Sequence, residues 1–246
     1  MVTIGGRAHT LEQIEEVGKL GYPYAEIDVS DPDVIDQQFD DLLRLKEKYN
    51  LFYLAHYPNE GNPTDVEMLA QQFVPKMKSL FTCTRKLGIE KGTMHFWMDQ
   101  RRAPPELVEG KIKLLSELAD DATQKGVVLC LENLTSQHHS FATVFGAIPD
   151  LRMTMDIGHG ELLSDENTAF GFIEHLLDRI AHVHVHDNRG GTTVKDDLHL
   201  PLGDGIVDYP RILTLLKEKG YASTLTMEVL PVAMIRTQAE VERYIR

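Results

Sequence analysis

Short apolar runs that read as strands alternate with longer amphipathic runs that read as helices, eight times along this chain. The strands are predicted at 3–5, 24–29, 51–56, 91–96, 127–133, 152–156, 181–186 and 224–229. The helices are predicted at 10–20, 33–49, 64–87, 104–125, 140–148, 167–177, 209–219 and over the last residues. Gly21, Gly88, Gly126 and Gly220 stand where four of those helices should stop, and Thr10 with Gln13 has the spacing of a capping box. Strands alternating with helices pair in parallel through right-handed crossovers. Eight such units in 246 residues fit an α/β architecture of the (β/α)8 barrel type. The competing open, doubly wound sheet usually carries a glycine-rich phosphate loop after its first strand. Here Gly5-Gly6 leads into Arg7-Ala8, so the barrel is preferred. With no linker, repeat or low-complexity tract, residues 1–246 read as one domain.

A barrel of this kind carries its chemistry at the C-terminal ends of its strands, and those ends are polar in six consecutive strands. They hold His56, His95, Glu132-Asn133, Asp156 followed by His159, then His184 and His186 before Asp187, and finally Glu228. In A-H-V-H-V-H, the side chains of His182, His184 and His186 share one face of the seventh strand. Thr154/Asp156 and Thr224/Thr226/Glu228 likewise oppose apolar neighbours. The apolar parity suits the helices and the polar parity the barrel mouth. Each residue alone is explained by a satisfied core group or a loop anchor. Together they would leave several carboxylates in one desolvated space, which cations offset. A divalent metal is therefore expected. His9, His138, His139 and His175 read as surface or structural, and Tyr57, Phe96 and Trp97 as core or rim.

The formal net charge is −13, with no run of five or more like charges, which disfavours nucleic acid at long range but not a locally basic groove. Cys83 and Cys130 stand apart without a C-x-x-C pattern, which fits a reducing compartment and rules out a cysteine zinc site. Without an apolar leader or an apolar run approaching membrane-spanning length, a cytoplasmic protein without membrane association is expected.

The segments L-E-N at 131–133, M-D-I-G-H at 155–159, H-V-H-D-N at 184–188, D-L-H-L-P-L-G-D-G at 197–205 and T-M-E at 226–228 resemble, in this order, the xylose isomerase-like TIM-barrel superfamily. That superfamily contains sugar and sugar phosphate isomerases and epimerases, and also the endonuclease IV family. By position the resemblance implies Glu132, Asp156, His184 and Glu228 as the metal quartet of the epimerases. It implies His56, His95, His159, Asp197 and His199 as the additional ligands with which endonuclease IV-like members hold further zinc ions. His184 is preferred to His186 because the family's histidine precedes an aspartate by three residues; His182 and His186 share its face. One to three ions are implied, and mixed nitrogen and oxygen donors suit zinc or manganese equally. A dimer or tetramer is the family's habit.

Two chemistries follow from the resemblance. In the first, a carbohydrate isomerase or epimerase, Glu132 and Glu228 pass a carbon-bound proton through a metal-stabilised enediolate. His159, His186 and Arg189 would hold hydroxyls or a phosphate, although Arg189 reads equally as a solvated loop residue. The second is a zinc phosphodiesterase acting on abasic-site DNA, which the nine filled positions support. Short loops after the first two strands and the lack of a basic, aromatic-interleaved loop speak against it. A sugar-acid dehydratase would use the same metal and base. A barrel that binds metal without catalysis is disfavoured by the complete carboxylate pair.

Overall fold

Eight parallel strands, each hydrogen-bonded to the next and the last to the first, close a barrel in chain order. They are β1 Thr3–Ala8, β2 Tyr24–Asp28, β3 Phe52–His56, β4 Lys91–Met94, β5 Val128–Glu132, β6 Arg152–Asp156, β7 Ile180–Val185 and β8 Thr224–Met227. The computed structural model describes all 246 residues apart from the side chain of Val194. The outer helices are α1 Leu11–Lys19, α2 Pro32–Tyr49, α3 Val66–Met68, α4 Val74–Lys86, α5 Pro105–Gln124, α6 His138–Ala147, α7 Ala169–His175, α8 Tyr209–Glu218 and α9 Pro231–Ile245. No helix among the described residues is long and apolar enough to cross a membrane.

The predicted elements are present, with four physical corrections. The expected single helix over 64–87 is divided by a π-turn at Leu69–Phe73. Pro75, two residues beyond that turn, has no N–H to continue the regular ladder. Thr10 does cap α1, its hydroxyl accepting from Gln13 N at 3.3 Å. The Gln13 side chain accepts not from Thr10 but from the His9 backbone N–H at 2.7 Å, so the box closes one residue early. The strand expected at 91–96 ends at Met94, and the one expected at 181–186 ends at Val185, leaving His95 and His186 in the loops just beyond. β1 is longer than expected and carries Arg7, whose guanidinium turns into the barrel mouth.

Strand alternation sorts the core. Ala25, Ile27, Met94, Leu131, Met153, Met155, Val183, Leu225 and Met227 are buried in the layer between sheet and helices, with Val17, Leu115 and Met234. The inner parity is unusually polar for a barrel, where branched aliphatics normally fill the interior. Lys91 Nζ donates to Ala181 O at 2.7 Å and Thr224 Oγ1 at 2.8 Å near the N-terminal ends of the strands. Thr93 and Thr154 meet hydroxyl to hydroxyl at 2.8 Å, and Tyr24 meets Thr226 at 3.1 Å. Each polar group has its partner, so burial does not leave it orphaned.

Tyr24 fits because Gly5 faces it from β1: a Cβ there would lie 2.6 Å from the tyrosine ring. Gly5→Ala is therefore expected to destabilise the fold by about 1–3 kcal/mol through overpacking. Urea unfolding reads this directly, and an unchanged midpoint would show that the ring has room to retreat.

Candidate metal and active site

The strand ends bring the expected residues together. Donor atoms of Glu132 (β5), Asp156 (β6), His184 (β7) and Glu228 (after β8) all lie within 4.8 Å of one another, and all four residues are buried. His184 Nδ1 is 3.1 Å from Glu132 Oε1, 3.4 Å from Glu228 Oε1 and 3.7 Å from Asp156 Oδ2. His56, from the end of β3, places Nε2 3.6 Å from Glu132 and 3.9 Å from Glu228. His95 Nε2 is 2.8 Å from Glu132 Oε2, while its Nδ1 faces Asn59 Oδ1 at 2.6 Å. A second group, His159, His186, Asp197 and His199, gathers beside the first. His159 spans the two: its Nδ1 is 3.2 Å from Glu132 and its Nε2 3.1 Å from Asp197.

This is a concentration of negative charge away from water. Burial by itself would raise the carboxyl pKa values. The facing imidazoles reverse that: His184 and His95 hold Glu132 well below the usual range, His159 and His186 lower Asp156, and His184 lowers Glu228. The imidazoles respond in kind. Burial opposes their charge, but Glu228, Glu26 and Glu132 outweigh it at His184, and Asp156, Asp197 and Glu132 do so at His159, so both rise well above the imidazole norm. His199 rises to about 9: burial opposes its charge, but Asp197 and Glu228 outweigh it. His56 moves the other way, kept neutral by burial and by Arg7.

The donor set fits a divalent cation. Three carboxylates and one imidazole nitrogen point at a common space, and the buried Asp197 Oδ1 in the neighbouring group has no hydrogen-bond partner. Protons on His184 and His159 supply the positive charge that a cation would otherwise bring.

A cavity of about 610 Å³ opens onto this floor, lined by His95, His159 and Asp197 below and by Trp97, Arg102 and Leu163 on its walls. A second lobe of about 380 Å³ shares His95, His159 and Asp197 and adds His56, His199 and Glu228. Arg7, His9 and Asp28 line it too. The segments at 59–64 and 100–105 contribute Asn59, Glu60, Gly61, Pro63 and Arg102 to the walls, joined by residues after β5, β6 and β7. Two ion pairs hold the walls, the first of them buried. Lys111 Nζ reaches Glu60 at 2.5 Å, and Glu60 accepts the Trp97 N–H at 2.6 Å. Arg101 binds Asp99 at 2.7 Å and donates to Leu163 O at 3.0 Å.

Some expected site residues stand elsewhere. Arg189 is exposed, donates weakly to Asp204 O at 3.4 Å and lines neither lobe. His186 is fully buried behind Asp156, 3.1 Å from its carboxylate, and also lines neither lobe. His9 is exposed, as expected, and also borders the smaller lobe, with Nδ1 3.1 Å from Asp28. Tyr57 and Phe96 are core, whereas Trp97 faces the larger lobe.

Three inward residues were missed: Arg7, Glu26 and Asp28. Arg7 Nε lies 3.3 Å from Glu228 Oε1, and its Nη2 pairs with Asp28. Glu26 accepts from the back of the cluster, 3.0 Å from His184 Nε2 and 2.9 Å from His182 Nε2. The signal was present in Y-A-E-I-D, where Tyr24, Glu26 and Asp28 alternate with apolar residues as the later strands do.

A family model described as xylose isomerase-like TIM barrel matches residues 14–243. An uncharacterised protein of Methanocaldococcus jannaschii is 26% identical over 208 residues, 76% of this chain and 67% of that one. An inosose dehydratase of Serratia proteamaculans is 28% identical over 138 residues, 46% of this chain and 44% of that protein. Among solved structures, a D-tagatose 3-epimerase-like protein superposes with a TM-score of 0.82 at 22% identity, covering 99% of this chain and 97% of the other.

His182 gives a pH test. Burial pushes its pKa down to about 4, against the pull of Glu26. The unfolded chain takes up a proton near pH 6.5 that the folded one refuses, so stability falls as pH drops from 6.5 toward 4. For metal-free protein this amounts to roughly 3 kcal/mol at most. His182→Gln, which can donate to Glu26 and accept from Thr224, should flatten that part of the curve. Equal slopes in wild type and variant would assign the acid loss to other groups.

Proposed function

The chain belongs to the xylose isomerase-like TIM-barrel family, and on that footing we propose that it is a divalent-metal-dependent isomerase or epimerase of a small sugar or sugar phosphate. The observation that carries this reading is the meeting of Glu132, at the end of β5, and Glu228, just after β8, around one space shared with Asp156 and His184. Moving a proton at a carbon beside a carbonyl needs a carboxylate that is ionised at neutral pH and a second one to hand the proton back. Both glutamates are kept ionised, Glu132 by His184 and His95, Glu228 by His184 and by Arg7 at 3.3 Å. His56, neutral and close to both, can hold a substrate hydroxyl between them. His159 faces the larger lobe as a donor to substrate oxygens, and Trp97 and the leucines of that lobe keep bulk water from the reacting carbon. Glu132, Asp156, His184 and Glu228 would hold zinc or manganese, which when bound supplies the positive charge that stabilises developing negative charge on substrate oxygens. The names of two relatives point the same way: one solved structure is described as D-tagatose 3-epimerase-like, and the Serratia protein is an inosose dehydratase. The latter keeps a sugar-acid or cyclitol dehydratase on the same residues as the nearest variant of this chemistry.

The cluster of His159, His186, Asp197 and His199 favours a second reading, a multi-zinc phosphodiesterase for abasic-site DNA. Against it, the chain carries a net charge of −13. Arg102, in the larger lobe, forms no ion pair or side-chain hydrogen bond among the described residues. One such arginine suits a single anionic group on a small substrate better than a duplex.

Glu228→Gln should lower turnover by about 10²–10⁴-fold. The far-UV circular dichroism should stay unchanged, showing that the fold is intact. Appearance of solvent deuterium at the reacting carbon, followed by NMR over a panel of ketoses and ketose phosphates, is the assay. A near-wild-type rate in this variant removes the paired-carboxylate mechanism. Chelation should abolish turnover, and zinc or manganese should restore it. Three zinc ions per chain together with cleavage of an abasic-site oligonucleotide would transfer the assignment to the phosphodiesterase.

A further inference from the structure

Glu26 touches neither lobe of the cavity and takes no part in the chemistry above, yet it is a fully buried carboxylate at the centre of the barrel. Its two oxygens lie 3.1 and 3.0 Å from Nε2 of His184, the nitrogen opposite the one that faces Glu132, Asp156 and Glu228. Two further donors fix the Glu26 carboxylate itself. Thr226 Oγ1 donates to Oε2 at 2.6 Å, and His182 Nε2 lies 2.9 Å from the same oxygen. Behind His182, its Nδ1 meets Thr224 Oγ1 at 2.6 Å, and that hydroxyl receives Lys91 Nζ at 2.8 Å. A continuous line of hydrogen bonds thus runs up the barrel axis from Lys91 to the quartet.

We propose that Glu26 is a positioning residue for metal binding: by accepting the Nε2 proton of His184, it keeps the Nδ1 lone pair turned toward Glu132, Asp156 and Glu228. The inference rests on the reading that this quartet takes a divalent ion. An imidazole has two nitrogens, and only the one without a proton can bind a cation; a carboxylate against one nitrogen decides which that is. Glu26 is the hydrogen-bond partner of Nε2 among the described residues, so without it no acceptor holds the Nε2 proton, and the ring-flipped rotamer and the other tautomer become available. Glu26, His182 and His184 also bring donor atoms within 4.8 Å of one another, as a metal triad would. That alternative asks His184 to give both nitrogens to cations, at a place that lines no cavity, whereas the positioning role uses each nitrogen once.

The test uses the full chain and Zn²⁺ or Mn²⁺ as the probe. Glu26→Gln keeps the shape and removes the charge. Competition against a chelator should show its affinity for Zn²⁺ lowered by about 10–100-fold, the usual effect of losing such a partner. Long-range ¹H–¹⁵N spectra of the zinc-loaded proteins supply the readout that a merely structural role would not move. Wild-type His184 should show a protonated Nε2 with a strongly downfield proton; the variant should lose that signal or show both tautomers. If Glu26→Gln folds poorly, Thr226→Val, which removes only the hydroxyl that holds Glu26, should lower affinity in the same direction by several-fold. Wild-type affinity together with an unchanged His184 signal in either variant overturns the proposal. A wild-type protein that binds zinc with the predicted His184 signal but leaves every ketose unchanged would refute the isomerase reading and leave this one standing.

Discussion

Several carboxylates share a space that water does not reach, and much of the molecule answers to that fact. Glu26, Glu132, Asp156 and Glu228 are all buried, and charges so close would protonate or repel one another if left alone. Seven imidazoles and Arg7 surround them, so that nearly every oxygen faces a nitrogen. The balance has two solutions: protons on His184 and His159, or a divalent cation in their place. With the proposed cation bound in place of those protons, the ionisation of Glu132 and Glu228 would be controlled by the occupant of the site.

The barrel makes this arrangement mechanically sound. Its interior is a column of hydroxyls, a lysine and histidines in place of packed aliphatics, closed at one end by Lys91 and opening at the other onto the cavity. Because every member bonds to a neighbour on another strand, a shift of one side chain would orphan the next, which favours a single arrangement. The hydrophobic layer between sheet and helices carries the stability, and the polar column carries orientation.

How much of the site could be read in the chain depended on where each residue sits relative to its strand. His56, Glu132, Asp156, His184 and Glu228 were visible because they end runs whose apolar alternation is clear. Arg7 was hidden because the middle of β1 is Gly5-Gly6, which carry no side chain to mark its faces. Glu26 and Asp28 were in view but uncounted, since an acidic residue within a strand reads as solvent-facing until the barrel closes over it. Arg189 followed the histidines closely in sequence, yet the loop turns it to Asp204 and away from the cavity. Loop conformation depends on hydrogen bonds such as those the Asp187 carboxylate accepts from the Gly203 and Val207 N–H groups, and no local pattern announces them.

The linear order of residues by itself determined the alternation of strands and helices, the closed eight-unit architecture and the side of each strand that carries the ionisable groups. Those are consequences of periodicity and of the chirality of crossovers, which act locally. The tertiary structure alone decided which nitrogen of His184 faces the carboxylates, that Glu26 stands behind it, and that Arg7 stands beside Glu228. Those pairings join residues as much as 221 positions apart in the chain, and only closure of the barrel brings them within reach of one another.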